Sequence, residues 1–294
     1  MNSQWFQVAR PSRADMPRAA KFLVAGRLGA TFGDLFWACH GSTPLAAAAV
    51  LPSAGNVGML LLSPLEGGGV APEALAATVA QAAAESLQLG VAFVQALTDP
   101  RARGEMEVLR LAGMAPAATL AYMRLDLTAP PAPPTVPPPG LAWRNGPAFS
   151  DEELSAVIQA SYAQSLDCPD ILGVRRGEDV LAGHRANGAY RRESWWMATI
   201  AAGGVGCILV NDSLPPGGGE VAYLGVAAEF RRRGLGRILL EKAAFQARQR
   251  AQRYLALAVD EHNAPAVALY RQVGFSLTHR RVVWVKLPSE KPVC

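Results

Sequence analysis

The sequence is poor in cysteine and histidine, and neither residue type has the spacing of a metal or disulfide site. The four cysteines lie far apart and form no C-x-x-C pair: Cys39, Cys168, Cys207 and Cys294. This spacing indicates neither a disulfide framework nor a zinc site, and we expect no metal. Such cysteine usage is typical of a reducing compartment, so we expect a cytoplasmic protein.

The sequence also lacks a long apolar segment and a basic-then-apolar leader. The apolar run at residues 45–51 is far too short to cross a bilayer, and residues 1–6 do not have the pattern of a targeting signal. We therefore expect no membrane partner. What is present is a chain of 294 residues, 50% apolar and 18% charged, which suits about two globular domains in a monomer or homodimer.

Positive charge is in excess in one part of the chain only. The net charge is +4, and it arises entirely after residue 139, with much of it in residues 231–253. No broad pattern of Lys and Arg interleaved with aromatic residues accompanies it, so we do not expect a nucleic-acid partner. A local basic excess suits a small ligand that carries phosphate.

The most informative segment is a short apolar strand that ends in a basic turn and continues as a helix. It has the sequence YLGVAAEFRRRGLG over residues 223–236. Gly234 and Gly236 lack a Cβ, so the chain can bend tightly there, and the first turn of the helix leaves its N–H groups unpaired. Four arginines add charge suited to phosphate: Arg231, Arg232, Arg233 and Arg237. The pattern predicts a pyrophosphate site at a helix N-terminus.

The order of these residues favours coenzyme A over a nucleotide. The pattern R-x-x-G-x-G matches neither the dinucleotide fingerprint nor the P-loop. An alternative interpretation is an Arg-rich turn that caps a surface helix. The context favours a ligand site, because an apolar strand precedes the turn and an amphipathic helix follows it at residues 237–251.

A second segment follows in the order strand, turn, short helix and strand, over residues 255–275. Its helix is entered through Pro265 and closed by Gly274. Together, the two segments resemble the acetyl-CoA-binding signature and the following Asn…Tyr…Gly-Phe segment of the GNAT superfamily of N-acetyltransferases. One departure is Ala228, where the family often has Pro, and we expect it to relax the turn without removing a phosphate donor.

The resemblance implies a site for acetyl-CoA as co-substrate. The strand backbone would pair with the pantetheine arm at Leu224, Gly225 and Val226, and the N–H of Val226 would polarise the thioester carbonyl. The resemblance assigns the diphosphate to the turn and helix start, at Arg231, Arg232, Arg233, Gly234, Leu235, Gly236 and Arg237. It also assigns pantetheine or thiol binding to Asn263.

Two side chains are candidates for proton transfer. By the same resemblance, Tyr270 would donate its proton to the departing thiolate, and Glu220 would deprotonate the amine through water. We expect the Glu220 side chain to share its strand face with Leu224 and Val226. Each has a simpler interpretation, since Tyr270 could be a core aromatic and Glu220 a surface carboxylate; likewise, Asn263 could be only the helix cap.

The two halves of the chain resemble each other. An offset of 161 residues places Asp99 on Asp260 and Gly113 on Gly274, with strands and helices in the same order. The Pro-rich residues 129–140 between the halves favour an extended linker. We therefore predict a mixed α/β fold of two tandem GNAT-like domains, residues 1–128 and 141–294, each a mostly antiparallel sheet flanked by helices.

The same offset predicts that only the second domain is catalytic. The positions opposite Glu220, Arg231, Gly234, Gly236, Asn263 and Tyr270 are Met59, Val70, Glu73, Leu75, Ala102 and Leu109. Glu73 would put negative charge where the diphosphate should lie. We predict a degenerate first domain that serves as scaffold or substrate wall.

The function predicted is transfer of an acetyl group from acetyl-CoA to a primary amine of a small molecule or peptide. The resemblance implies an acceptor pocket in residues 151–188. The carboxylates of this segment could attract an ammonium group, or they could belong to an ordinary solvated surface: Asp151, Glu152, Glu153, Asp167, Asp170, Glu178 and Asp179. No residue selects among a thiol sugar, an aminoglycoside, a polyamine, an amino acid and a peptide N-terminus. A non-catalytic acyl-CoA-binding sensor or scaffold is the alternative.

Overall fold

The computed structural model describes residues 5–19, 35–65, 70–128, 135–214 and 216–288. The chain forms two compact units, the first from Met1–Ala118 with Arg281–Cys294 and the second from Thr119–Arg280. We call them unit 1 and unit 2. In the described residues no helix is both long enough and apolar enough to cross a membrane.

The strands are β1 (Gln7–Ala9), β2 (Leu35–His40), β3 (Thr43–Ser53), β4 (Val57–Leu62), β5 (Phe93–Thr98), β6 (Ala115–Asp126), β7 (Ala142–Asn145), β8 (Trp195–Ile200), β9 (Gly203–Asp212), β10 (Gly219–Val226), β11 (Tyr254–Asp260) and β12 (Ser276–Lys286). The helices are α1 (Pro72–Gln88), α2 (Arg103–Leu111), α3 (Asp151–Tyr162), α4 (Gly177–Ala186), α5 (Leu235–Gln249) and α6 (Ala264–Val273).

Unit 1 is a mixed sheet packed on α1 and α2. Its order is β1-β2-β3-β4-β5-β12, and the only parallel pair among its described strands is β4 with β5. The last strand comes from the far end of the chain, since residues 282–286 of β12 pair with β5. Small buried residues of β3, Ala46 and Ala48, share one core with Ala74, Leu75 and Val79 of α1.

Unit 2 repeats this arrangement. Its order is β6-β11-β10-β9-β8-β7, and among its described strands only β10 and β11 pair in parallel. Helices α3 and α4 cover one face of the sheet, over Cys207 and Leu209 of β9. Helix α5 covers the other face, over Ile208 and Val210. This alternation along β9 follows from the two-residue period of a strand.

The mixed α/β fold predicted from the sequence is confirmed, and the strands and helices of the two units follow in the same order, as the internal comparison predicted. The compact units, however, divide the chain at other positions than the predicted domains. The predicted boundaries are residues 128 and 141, whereas the units divide within β6 and again within β12. The predicted linker is described only from Thr135 onward, and residues 129–134 lie outside the described residues.

We expect β12 to stabilise unit 1 although it lies far along the chain from the other strands of this unit. Trp284 is 6% exposed, belongs to the core of unit 1 and donates its indole N–H to Thr98 Oγ1 at 3.2 Å. The substitution Trp284→Ala should lower the free energy of unfolding by about 3 to 5 kcal/mol. Chemical denaturation measures this loss, and hydrogen exchange should show faster exchange in Phe93–Thr98.

The matched control for Trp284 is Leu277 on the same strand, which is 39% exposed. Its substitution by alanine should change the free energy of unfolding by about 0.5 kcal/mol or less. Unchanged protection of β5 in Trp284→Ala would contradict the assignment of this strand to unit 1.

Candidate active site

The central feature of unit 2 is a fork between its two parallel strands. β10 and β11 pair only at their first residues, Gly219 with Leu255 and Glu220 with Ala256, although the strands continue to Val226 and Asp260. Their outer edges are paired throughout, β10 with β9 and β11 with β6. In the described part of the chain, the inner edges beyond Glu220 therefore have no strand partner.

The backbone of β10 presents hydrogen-bonding groups to this fork. The N–H of Ala227 donates to the carbonyl of Val205, on the β9 side, at 3.0 Å. Successive backbone groups of a strand point to alternate edges, so the N–H of Val226 points to the open side. The backbone N–H and carbonyl of Leu224 point to the same open edge as those of Val226. The fork thus offers main-chain donors and acceptors to an elongated ligand.

The turn after β10 leads directly to a helix N-terminus without a cap. Arg232 has φ 62° and Gly234 has φ 78°, both in the left-handed region, and α5 begins at Leu235. No side chain caps α5 and no acidic residue lies in its first turn. The first intrahelical bond runs from Ile238 N–H to the Gly234 carbonyl, so the preceding N–H groups are available to an anion.

Gly236 lies where α5 packs closely against α6. A Cβ on Gly236 would lie 2.9 Å from Leu269 Cδ2 on α6, closer than carbon atoms approach without displacement. The absence of a side chain therefore lets α5 and α6 approach each other. Gly234 has open space around its Cα, so its requirement for glycine comes from its left-handed backbone alone.

The four arginines of the turn have different environments. The guanidinium of Arg231 donates to three backbone carbonyls, those of Val226 (3.1 Å), Ser161 (2.7 Å) and Gln164 (3.3 Å). Arg231 therefore ties the turn to the C-terminal end of α3. Arg237 donates to Glu241 at 2.8 Å, and Glu241 also accepts from the backbone and hydroxyl of Thr135.

Arg232 and Arg233 are exposed. The guanidinium carbon of Arg233 lies 5.4 Å from the centroid of the Phe230 ring. Among the described residues, neither arginine side chain forms an ion pair. These two arginines, rather than Arg231 and Arg237, are the free positive charges beside the uncapped helix.

The expected strand face of Glu220 was wrong. A β-bulge between Val221 and Tyr223 inserts one residue, so the strand alternation shifts within β10. Glu220 pairs with Asn211 and therefore shares the face covered by α3 and α4, whereas Leu224 and Val226 lie on the α5 face. The carboxylate therefore lies at the vertex of the fork, on the face covered by α3 and α4.

The Glu220 carboxylate has no hydrogen bond or ion pair with any residue that the structure describes. Burial raises the pKa of this carboxyl above its ordinary value. A carboxylate with a raised pKa is a stronger base, which is compatible with a role in proton transfer.

A polar group that the sequence did not reveal lies on the same face. The Tyr223 hydroxyl is 2.6 Å from Ser161 Oγ, and the rings of Tyr223 and His184 lie 4.9 Å apart. Ser161 in turn donates to the Ile158 carbonyl at 2.6 Å. A Cβ on Gly225 would lie 2.5 Å from Ser161 Oγ, so the glycine of the signature allows α3 to approach β10.

His184 is held in its neutral form. Burial lowers the pKa of His184 to about 4, and the charge of Arg175 acts in the same direction, against a hydrogen bond to the backbone of Ala222. Its Nε2 atom is buried and has no hydrogen-bond partner among the described residues. Only the bulge brings Tyr223 to this face, and no residue pattern in the sequence indicates it.

Tyr270 lies in the core of unit 2 and is 7% exposed, with its ring centroid 5.7 Å from that of Phe275. Its hydroxyl makes no hydrogen bond in the described chain. Burial raises the pKa of this phenol, and the charge of Asp167 raises it further. The phenol is therefore protonated at neutral pH, as a proton donor must be.

Asn263 caps α6. Its side-chain oxygen accepts from the N–H of Ala266 at 3.3 Å, and its side chain also hydrogen-bonds Asp167. Asp167 further accepts from the N–H of Asp260 at 3.1 Å. The segment between α3 and α4 thus contacts the end of β11 and the start of α6.

This geometry defines a domain that offers main-chain groups and a helix N-terminus to an elongated anionic ligand. Residues 170–275, which contain the fork, the basic turn, α5 and α6, match the acetyltransferase (GNAT) family. This stretch of unit 2 is therefore similar to the GNAT acetyltransferase family, as the resemblance in the sequence indicated.

Curated relatives match a shorter stretch. A mycothiol acetyltransferase from Thermobifida fusca is 40% identical over 73 residues, which cover 25% of this chain and 23% of that protein. A mycothiol acetyltransferase from Corynebacterium aurimucosum is 37% identical over 71 residues, which cover 24% of this chain and 23% of that protein. The matched stretches thus span less than a quarter of the length of these relatives.

Solved structures match nearly the whole chain. A GCN5-related N-acetyltransferase from Sphaerobacter thermophilus has a TM-score of 0.64 at 20% identity and covers 98% of both chains. A tandem GNAT protein from the clavulanic acid biosynthesis pathway has a TM-score of 0.56 at 15% identity, with 97% of this chain and 100% of that chain covered. At these identities the similarity shows the fold, and it confirms the fold predicted from the sequence.

The neutral state of His184 makes stability depend on pH. As the pH falls below 6.5, the unfolded chain takes up a proton at this position while the folded chain does not, until the pH reaches about 4. The free energy of unfolding should therefore fall by roughly 3 kcal/mol between pH 6.5 and 4. Urea denaturation across this range measures the loss.

The substitution His184→Phe keeps an aromatic ring beside Tyr223 but removes the titratable imidazole. It should therefore remove most of the fall in the free energy of unfolding between pH 6.5 and 4. The control is His279→Phe, which changes an exposed histidine of unit 2 and should keep the wild-type pH dependence. Equal pH dependence in the wild type and His184→Phe would contradict the assignment.

Proposed function

We propose that the chain is an acetyl-CoA-dependent N-acetyltransferase that acts on a primary amine, with its catalytic site in unit 2. The observation that carries the proposal is the continuity of the fork, the turn and the uncapped start of α5 along one segment, from Glu220 to Gly236. The fork suits the amide-bearing arm of the thioester, and the helix start suits its diphosphate.

The residues fit acetyl-CoA as a substrate. We assign the thioester arm to the open edge of β10 at Leu224, Gly225 and Val226, and the diphosphate to the N–H groups of Leu235, Gly236 and Arg237. Arg232 and Arg233 supply positive charge there, whereas Arg231 acts by holding the turn on α3. Asn263 contributes by positioning, since its amide already caps α6 and contacts Asp167.

The chemistry requires one bond to form and one to break. The amine nitrogen attacks the thioester carbon, whose oxygen is polarised by the N–H of Val226. As the C–N bond forms, Glu220 takes a proton from the nitrogen, directly or through water. As the C–S bond breaks, Tyr270 gives its proton to the sulfur.

Unit 1 is proposed to lack this activity. The pair Met59 with Gln95 occupies the register position that Glu220 with Ala256 occupies in unit 2. The first turn of α1 carries Glu73, whereas that of α5 carries no acid. A methionine in place of the base and a carboxylate at the helix start support the interpretation of unit 1 as a scaffold.

The identity of the acceptor amine is a matter for experiment. Because two similar proteins are mycothiol acetyltransferases, the amines to be tested should include the mycothiol-type acceptor. Aminoglycosides, polyamines, amino acids and peptide N-termini complete the panel of amines. Release of free thiol from acetyl-CoA reports turnover for every acceptor. Binding of acetyl-CoA without turnover of any amine would favour the sensor or scaffold alternative.

The phosphate assignment predicts a charge-dependent affinity. Arg233→Glu should weaken acetyl-CoA binding by about tenfold or more, because a free cation beside the diphosphate becomes an anion. Isothermal titration calorimetry at two salt concentrations measures the loss, which should shrink as salt rises. Arg103→Glu makes the same change of net charge on unit 1 and should leave the affinity within about twofold; equal losses in both variants would contradict the site.

The proton-donor assignment predicts a loss in turnover but not in binding. Tyr270→Phe should lower kcat by about 100-fold and leave the Kd of acetyl-CoA unchanged, because only the hydroxyl is lost. The control Tyr254→Phe removes a hydroxyl that lies 3.0 Å from Ser213 Oγ, and it should keep full kcat. Full turnover by Tyr270→Phe would overturn the role of Tyr270 as acid.

A further inference from the structure

The segment in which an acceptor pocket was expected contains a cavity. It lies between α3 and α4 of unit 2 and holds about 330 Å³ of empty space, part of which is open to solvent. Ser155, Gln159 and Tyr162 line it from one face of α3, and Val180 and Leu181 line it from α4. The cavity therefore offers both hydrogen-bonding and apolar contacts to a small group.

The charge at this cavity is positive. Arg175, in the segment that joins α3 to α4, lines the cavity, and no acidic residue of the described chain does. Four acids of residues 151–188 form ion pairs with arginines that do not line it: Asp151 with Arg185 and Arg192, Glu153 with Arg144, and Glu178 and Asp179 with Arg176. The cavity thus suits an anion, and not the ammonium group that the acids of this segment could attract.

Arg175 is partly removed from solvent. The residue is half-buried, whereas the side chain of its neighbour Arg176 is 72% exposed. Burial lowers the pKa of the Arg175 guanidinium, while Tyr162 and the charge of Asp179 raise it. Asp179 shares its charge with Arg176, whose Nε lies 3.5 Å from Asp179 Oδ2. A cation that has lost part of its hydration gains more from an anion than an exposed cation does.

The cavity adjoins the strand that forms the fork. Tyr162 lines the cavity, and its ring centroid lies 6.3 Å from that of Tyr223 on β10. Glu220 lies on the same face of the sheet, which α3 and α4 cover. A molecule that is anchored at Arg175 and passes the two tyrosine rings would therefore extend toward the proposed site of acetyl transfer.

A buried polar atom beside this path lacks a partner. His184 lies one turn after Val180 on α4, and its ring centroid lies 4.9 Å from that of Tyr223. One ring nitrogen of the neutral imidazole donates to the backbone of Ala222, so Nε2 carries a lone pair, and it has no hydrogen-bond partner in the described chain. Because buried polar atoms are normally satisfied, Nε2 indicates a bound group that donates an N–H or O–H.

We propose that Arg175 binds a carboxylate of the acceptor, so that the acceptor is an amine of the amino-acid type. This inference rests on the proposed function and names the class of its substrate. The planar guanidinium matches a carboxylate through two parallel N–H···O bonds. The same charge disfavours polyamines and aminoglycosides, which carry several positive charges and no anion.

The test measures how much a carboxylate improves the acceptor. The acceptors are glycine, L-leucine and 4-aminobutanoate, each compared with its primary amide, so that the size of the acceptor and the spacing of its amine from the carboxylate vary. Release of free thiol from acetyl-CoA gives kcat/KM for each. In the wild type, at least one amino acid should exceed its amide by about tenfold or more, because a charge-assisted hydrogen bond is lost in the amide.

Variants of Arg175 show whether this preference comes from the cavity. Arg175→Gln keeps a hydrogen-bonding side chain without the charge and should lower the ratio of the two kcat/KM values by about tenfold or more. Arg175→Lys keeps the charge without the planar fork and should retain part of the preference. Arg176→Gln removes the exposed neighbouring arginine and is the matched control, which should keep the wild-type ratio.

A purely structural role of Arg175 predicts a different result. It would lower kcat/KM for the amino acid and for its amide alike, and the ratio would stay unchanged. An unchanged ratio in Arg175→Gln, or a wild type that uses the amides as well as the amino acids, would overturn the inference.

Binding separates this inference from the proposed function. Calorimetric titration of the full chain with acetyl-CoA comes first, and no heat in the wild type overturns the proposed function. The complex with CoA is then titrated with the three amino acids, and Arg175→Gln should weaken the binding of the best of them by about tenfold or more. Acetyl-CoA binding that is equal in both proteins, with equal or no binding of the amino acids, overturns the inference alone.

Discussion

The site depends on the early separation of two parallel strands. β10 and β11 share only two pairs of residues, Gly219 with Leu255 and Glu220 with Ala256, before they diverge. Backbone groups that face a gap must find partners in water or in a ligand, since unpaired polar groups are costly when buried. The fork is therefore a preformed strand-pairing site, and it is kept open because each strand is held on its other edge by β9 or β6.

The β-bulge in β10 changes the face of the sheet on which successive side chains of this strand lie. Before the bulge, Glu220 lies on the face of α3 and α4; after it, Leu224 and Val226 lie on the face of α5. Tyr223 stays on the α3 face and contacts Ser161 there. One inserted residue thus lets a single strand place Glu220 on one face of the sheet and Leu224 and Val226 on the other.

The sequence predicted the parts of the site that depend on local order, and it missed the parts that depend on tertiary contacts. The strand, the turn with Gly234 and the helix after it follow from periodicity and glycine chemistry, and the structure contains all of them. The carbonyl contacts of Arg231 were not predictable, because they come from α3, some 70 residues away. The face of Glu220 was wrong because no local pattern distinguishes a bulge from a regular strand. The contacts of Asp167 were not predictable either, because its partners come from β11 and α6, far along the chain.

The exchange of strands between the halves of the chain explains why unit 2 is not the second half of the sequence. Unit 2 needs β6, which pairs with β11 at every position from Tyr254 with Asp126 to Asp260 with Leu120. A fragment of residues 141–294 lacks this strand, so one whole edge of β11 would be unpaired, and the fork would lose the strand that holds it open. The same fragment would keep residues 282–286 without β5, their partner in unit 1. Unpaired strand edges favour aggregation. The first half of the chain is therefore required by the fold of unit 2, because it supplies β6.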